Sequence, residues 1–143
     1  WSISTRLPYC GWRSVATTAM GQWNATGSRL QMANATGTQN TIGYYWENSG
    51  VLAYNQRSRQ YVVWGKMTKS VININVRHNF NPPYKTGTYY DLASILRHEL
   101  GHTVPLDHVS ARTALMYPSF DIGEVRGITA DESAGIRAIY GTR

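Results

Sequence analysis

The sequence predicts an α+β fold, in which a strand-rich first part is followed by a small helical part. Residues 72–76 alternate strictly between apolar and polar side chains, which is typical of a half-buried strand. Leu92, Leu96 and Leu100 recur every four residues, as on the apolar face of a helix. Residues 129–132 read T-A-D-E, a capping box that opens a last helix.

Shorter patterns before the central strand predict further elements. Residues 1–4 alternate between apolar and polar side chains and predict a first strand. Apolar residues from Trp12 to Trp23 recur at helical spacing, which predicts a helix of about three turns that ends before residue 27. Because β-prone runs lie between turn-rich segments, strands are predicted at residues 29–33 and 41–46, and a hairpin arm at residues 61–64.

The two later helices have recognisable starts. Residues 79–87 contain two adjacent prolines and predict a loop that leads to the central helix. Asp91 is a suitable N-cap, because its carboxylate can accept hydrogen bonds from the free N–H groups of the first turn. The leucine face of the central helix would rest on the sheet. The predicted apolar face of the last helix consists of Ile136, Ile139 and Tyr140.

Length and composition indicate one globular domain over residues 1–143, with an N-terminal part (1–102) and a C-terminal part (103–143). The chain of 143 residues is long enough for a core, and its 42% hydrophobic and 15% charged residues are typical of a soluble protein. No apolar run reaches the length of a membrane span, so we predict no membrane span. We expect a monomer.

The chain is basic, with a formal net charge of +6. Its 14 lysines and arginines are scattered instead of forming a stripe, so we expect a basic solvated surface and no nucleic-acid site. Attraction to anionic surfaces or substrates stays open.

The central helix carries a metal-binding pattern, His98-Glu99-Leu100-Gly101-His102. Two histidines four residues apart project from one helix face, close enough to bind one metal ion. His108 follows six residues later as a third candidate ligand. Three imidazoles and a water are the open arrangement of a catalytic zinc, whereas a structural zinc has four protein ligands.

Three segments together resemble a known family. Residues 98–108 read H-E-L-G-H-T-V-P-L-D-H, similar to the metzincin zinc signature. Residues 114–118 (A-L-M-Y-P) and 129–141 (T-A-D-E-S-A-G-I-R-A-I-Y-G) resemble the methionine turn and last helix of matrixins. The resemblance implies a metzincin-like catalytic domain: a small twisted, mostly parallel sheet with an antiparallel edge strand, an active-site helix, a methionine turn and a C-terminal helix.

The resemblance also implies roles for individual residues. His98, His102 and His108 would bind zinc, and Glu99 would activate the zinc-bound water. Met116 would pack beneath the metal. Residues 50–55 resemble the matrixin edge strand that borders the substrate cleft, and the segment after the methionine turn resembles the wall of the pocket for the residue after the cleaved bond. The implied substrate-binding residues are Val51, Leu52, Ala53, Tyr54, Pro118 and Phe120.

The predicted function is that of a secreted zinc endopeptidase that hydrolyses peptide bonds in proteins or peptides. We expect one catalytic zinc, and the scarcity of histidines and acidic residues argues against a second zinc or calcium. One alternative is a zinc peptidase of another class, with Glu124 or Glu132 as third ligand. Another is a catalytically silent metal-binding module.

One position departs from the family pattern. The signature has glycine seven residues after its first histidine, where a turn typically needs φ > 0, and this chain has Pro105. Proline holds φ near −65°. Either the turn is built differently here, or His108 is less well placed than in relatives.

Overall fold

Parallel pairing dominates the main sheet of the protein, whose computed structural model describes residues 1–59, 67–81 and 88–143. In chain order the elements are β1 (Ser2–Thr5), α1 (Cys10–Asn24), β2 (Ala33–Asn34), β3 (Thr41–Tyr45), β4 (Ala53–Arg59), β5 (Met67–Asn75), β6 (Phe80–Asn81), β7 (Tyr90–Asp91), α2 (Leu92–Thr103) and α3 (Ala130–Tyr140).

The main sheet has the strand order β2-β1-β3-β5-β4. The pairs β1–β2, β1–β3 and β3–β5 are parallel, whereas β4 is antiparallel to β5. This arrangement confirms the predicted α+β class, with a mostly parallel sheet and an antiparallel strand at its edge. Because β4 is last in the order, the described part of the chain offers no further strand to pair with its outer side.

The strand predicted at residues 29–33 is wrong for most of its length, because β2 contains only Ala33 and Asn34. Side chains bind the backbone of the preceding segment instead. The amide of Asn24 accepts from Met32 N and donates to Met32 O, and Ser28 Oγ accepts from Leu30 N. These bonds compete with a strand ladder.

The edge strand begins later than predicted and extends further. Residues 50–52 precede β4 and are held by Asn75, whose side chain donates to Val51 O and whose N–H donates to Leu52 O. The predicted loop 79–87 begins with β6, which pairs with β7. The rest of that loop, and the hairpin arm predicted at 61–64, lie outside the described residues.

Helix α1 packs against α2 through one continuous core. It is 15 residues long, about four turns where three were predicted, and its buried face includes Trp12, Met20 and Trp23. The indole Nε1 of Trp23 donates to Arg97 O of α2 at 3.0 Å. Leu92, Leu96 and Leu100 are fully buried, as the periodicity predicted. The same core reaches from Ile3 in β1 to Ile136 in α3.

Both predicted caps are present. The side chain of Asp91 accepts from Ser94 N at 2.8 Å at the start of α2. Thr129 and Glu132 form the capping box of α3. The predicted apolar face of α3 is partly wrong, because Ile136 is buried but Ile139 is 47% exposed.

The turn after α2 is built without a left-handed glycine. Leu106 N donates to Gly101 O at 3.0 Å, and Val104 N approaches the carbonyls of Leu100 and Gly101. The bond from Leu106 N closes the helix as in a Schellman motif. The second bond of that motif would need a backbone N–H at residue 105, which proline lacks. The turn is therefore built differently from the one that the glycine of the signature provides.

The methionine turn lies directly against α2. Tyr117 N donates to Ala114 O at 3.2 Å, which closes the turn, and Met116 is buried. A Cβ atom added to Gly101 would lie 2.5 Å from Met116 Sδ and 3.2 Å from the Trp23 ring. Only glycine at position 101 allows this approach without movement of the neighbours.

We therefore expect Gly101→Ala to lower the free energy of unfolding by about 1–2 kcal/mol, because overpacking outweighs the better helix propensity of alanine. Gly21→Ala in α1 is the matched control, since a Cβ there meets nothing within 4 Å. It should stabilise the protein by about 0.5–1 kcal/mol in the same urea titration. Equal effects of the two substitutions would contradict the close contact.

Candidate metal centre and substrate cleft

The three predicted histidine ligands converge on one point. His98 and His102 project from one face of α2, and the turn after the helix brings His108 back toward them. The Nε2 of His108 lies 3.2 Å from that of His98 and 3.1 Å from that of His102. Among the described residues, these three form the one group of histidine, cysteine and acidic side chains arranged to hold a metal ion.

Carbonyl oxygens fix the tautomer of two of these rings. The Nδ1 of His98 lies 2.8 Å from Leu115 O, and the Nδ1 of His102 lies 2.8 Å from Leu106 O. A carbonyl can only accept, so each Nδ1 carries the proton and each Nε2 presents a lone pair to the centre. Such an outer hydrogen bond is usual for histidines that bind metals, because it fixes the ring orientation.

Burial keeps the imidazoles of His98 and His102 neutral. It lowers the pKa of His98 to about 4, and the neighbouring His102, His108 and Arg126 add to this effect while the bond to Leu115 O opposes it. Burial also lowers the pKa of His102. Neutral imidazole is the form that binds a metal, so both rings are ready to act as ligands near neutral pH.

Glu99 has a buried carboxylate beside the histidines. Burial raises the pKa of Glu99 to about 8, and the charge of Arg57 acts in the opposite direction. Its Oε2 is buried and has no hydrogen-bond partner among the described residues. A buried carboxylate oxygen without a partner is unfavourable, so this atom is suited to a ligand or water that enters the cleft.

The donor set fits zinc. Tetrahedral zinc with Zn–N bonds of about 2.0–2.1 Å separates its nitrogens by about 3.3–3.4 Å, close to the distances from His108. Without a cation, the lone pairs of His98 and His102 would face the single Nε2 of His108, which can donate to only one of them. A bound cation would give all three nitrogens a partner.

The other predicted residues near the centre are not in the ligand cluster. Met116 packs against Gly101 on the helix that carries the histidines. Glu124 binds Arg126 through both carboxylate oxygens, at 2.9 and 2.7 Å. Glu132 caps α3 and accepts from Met116 N at 3.1 Å. Both glutamates considered as alternative third ligands are thus engaged elsewhere.

His98 and Glu99 lie where two pockets meet, and His102 and His108 line the second of them. One pocket, of about 290 Å³, contains the predicted substrate-binding residues Val51, Leu52, Ala53, Pro118 and Phe120. The other, of about 340 Å³, contains Tyr54. His98, Glu99, Ala53 and Pro118 line both pockets. The predicted substrate-binding residues thus surround one cleft along β4.

Phe120 forms a wall of the first pocket, and its ring packs against the side chains of His98 and Arg126. Its ring meets the His98 ring edge-on, with centroids 5.5 Å apart. The guanidinium carbon of Arg126 lies 4.4 Å from the centroid of the Phe120 ring, within the range of a cation–π contact. Arg126 is itself buried, and it donates hydrogen bonds to both carboxylate oxygens of Glu124.

Sequence reasoning missed several cleft residues. Tyr90 and Ile95 line the first pocket, and Arg57 and Asp107 line the second, together with Asn55, which ends the predicted edge strand. Asn55 and Arg57 share the face of β4 that carries Ala53, because strand side chains alternate. A longer predicted edge strand would have identified Arg57, whereas Tyr90 and Ile95 carry no pattern of their own.

Helices in the described ranges are too short or too polar to cross a membrane.

Comparison with known proteins gives the family. The matrixin family model matches residues 4–141 of the chain. Matrix metalloproteinase-9 of Canis lupus familiaris is 41% identical over 54 residues, 38% of this chain and 8% of that protein. Matrilysin of Rattus norvegicus is 41% identical over 51 residues, 34% of this chain and 19% of that protein.

Metalloendoproteinase 2-MMP of Arabidopsis thaliana is 25% identical over 155 aligned positions, which cover 90% of this chain. The chain spans 8%, 19% and 37% of the lengths of these three relatives. The family match covers nearly the whole sequence and includes the converging histidines, Glu99 and the methionine turn. The chain belongs to the matrixin family.

Proposed function

We propose that this chain is the catalytic domain of a zinc endopeptidase. The observation that carries the proposal is the convergence of three imidazole Nε2 atoms beside the unpartnered carboxylate of Glu99, in a cleft along a sheet edge. Family membership supports the same activity and a protein substrate. In line with the matrixin resemblance, we propose one zinc per chain, a secreted protein and a monomer.

His98, His102 and His108 would hold the zinc, with His98 and His102 oriented by their bonds to Leu115 O and Leu106 O. A bound zinc supplies a Lewis acid that polarises the scissile carbonyl and acidifies water. A cation near Glu99 would counteract the effect of burial, so that its carboxylate is ionised and can accept a proton.

Glu99 would act as general base and then as general acid. Its Oε2 takes a proton from the attacking water as the C–O bond forms, and the same proton passes to the nitrogen of the leaving amine as the C–N bond breaks. The neighbouring apolar wall formed by Ile95 and Phe120 limits the access of bulk water to this carboxylate. One residue can serve both steps, because the proton would move only the short distance from the attacking water to the leaving nitrogen.

The substrate would lie extended along β4. No strand in the described ranges pairs with the outer edge of β4, so its backbone N–H and C=O groups would be available to pair with a peptide. The side chain after the cleaved bond would enter the pocket beside Phe120. The residues before the bond would then lie on the other side of Glu99, in the pocket that includes Tyr54 and His108.

Replacement of Glu99 tests the general base. Because Glu99→Gln keeps the shape but cannot accept the proton, we expect kcat/KM for peptide cleavage to fall by roughly 10²–10⁴-fold. The zinc content should stay at that of the wild type. A variant that cleaves at near the wild-type rate would remove Glu99 from this role.

The third ligand is tested by metal analysis of His108→Ala. Loss of one of three imidazoles should weaken zinc binding at least about 100-fold, measured by competition with a chelator. His78→Ala is the matched control, since His78 lies outside the cluster and its Nε2 contacts Ser49 O. Full zinc affinity in His108→Ala would point to another ligand.

The pocket wall is tested with peptides that carry leucine or alanine after the cleaved bond. Phe120→Ala should reduce the preference for leucine by roughly tenfold, because the side chain then loses its apolar contact. Val125→Ala, in the same loop, is the control because Val125 is 71% exposed. The same loss in both variants would argue that this pocket does not receive the side chain.

A further inference from the structure

The second pocket of the cleft is lined by Arg57, a positively charged residue that the proposed mechanism does not use. Arg57 lies in β4, two residues after Asn55, and so on the same face of the strand. The Asn55 amide donates to Glu99 O at 2.8 Å and to Thr103 Oγ1 at 2.9 Å, so this face of β4 looks onto α2. Arg57 is therefore directed toward the end of α2 where His102 lies.

The guanidinium of Arg57 is poorly satisfied. Its Nη1 is buried and has no hydrogen-bond partner within the described ranges of the chain. Its Nη2 lies 3.6 Å from Asp107 Oδ1, longer than a hydrogen bond, and the Asp107 side chain is 80% exposed. An ion pair of this kind is weak, because water screens the exposed carboxylate.

Arg57 also shares its pocket with another unsatisfied group. Arg57 and Glu99 both line the second pocket, and both carry a buried polar atom without a partner. The two side chains do not bond to each other, and the Arg57 side chain is 27% exposed, so an incoming polar group can reach its guanidinium from the pocket. An acceptor that entered this pocket would satisfy Arg57 without displacing a strong internal bond.

We propose that Arg57 makes this enzyme prefer substrates with an acidic side chain before the cleaved bond. The inference rests on the proposed function, which assigns the residues before the bond to this pocket. A guanidinium offers only donors, in a planar fork that matches a carboxylate, and the hydrogen bonds of such a pair are stronger than those to a neutral amide. The net charge of +6 acts in the same direction by attracting acidic peptides.

The test uses one cleavable peptide sequence with glutamate or glutamine at each of the four positions before the cleaved bond. The zinc-loaded wild type, Arg57→Gln and Arg57→Lys are compared by kcat/KM. Arg112→Gln is the matched control, because Arg112 is also paired with an aspartate, Asp121, and neither residue lines either pocket. Zinc content and Tm are measured for every variant, so that loss of folding is recognised.

We expect the wild type and Arg112→Gln to cleave a glutamate peptide about tenfold faster than its glutamine partner at one of these positions. Arg57→Gln should cleave both at the glutamine rate, and Arg57→Lys, which keeps the charge but lacks the fork, should show a smaller preference. At higher ionic strength the preference should decrease, because the pocket opens to solvent.

Three results would overturn the inference: equal cleavage of all pairs by the wild type, a preference that persists in Arg57→Gln, or equal slowing of both peptides by that substitution. The last result would mean that Arg57 binds the substrate backbone. These results leave the proposed function intact, because they all require cleavage. A wild type that cleaves none of the peptides would overturn the proposed function, and with it this inference.

Discussion

The position of the α2 backbone determines the geometry of the whole cleft. Two of its carbonyls accept extra hydrogen bonds from other elements, Arg97 O from the Trp23 indole of α1 and Glu99 O from Asn55 of β4. Gly101 lets Met116 approach the helix closely. Contacts from a helix, a strand and a turn thus hold the segment that carries His98, Glu99 and His102.

Buried polar side chains connect α2 to the sheet behind it. Ser70 Oγ of β5 donates to Asn55 Oδ1 at 2.9 Å and lies 2.7 Å from Thr103 Oγ1. The side-chain oxygen of Asn55 therefore accepts from the sheet, and its side-chain nitrogen donates to the helix. Such a network is favourable only when its members are satisfied, so it fixes the register between β4 and α2. The distance from the sheet edge to Glu99 follows from this register.

The elements that periodicity and caps could predict are those fixed by local forces. The leucine spacing of α2, the Asp91 cap and the capping box at Thr129 all depend on residues within a few positions of one another. The predicted strand at 29–33 failed because Asn24 binds the backbone of Met32, a contact that alternation does not encode. The start of β4 was misjudged for the same reason, since Asn75 holds Val51 and Leu52.

The candidate site likewise contains some residues that local sequence patterns predict and others that they do not. The histidine spacing and Glu99 are properties of one helix and its following turn, so their convergence could be predicted from the sequence. Tyr90 and Ile95 line the first pocket through tertiary packing, and no local pattern distinguishes them from core residues. The support of Phe120 by Arg126 also joins residues on opposite sides of a loop whose path the sequence does not specify.

Pro105 illustrates how short-range hydrogen bonds can replace a requirement for one backbone conformation. The turn after α2 keeps the bond from Leu106 N to Gly101 O, and the carbonyl of Leu106 accepts from Nδ1 of His102. Leu106 thus closes the helix through its N–H and orients a zinc-ligand candidate through its C=O. Proline limits the unfolded chain more than glycine does, so a turn that it can adopt is stabilised through the unfolded state. The family glycine is therefore one solution to this turn, and the position of His108 depends on the bonds of Leu106 more than on φ > 0 at residue 105.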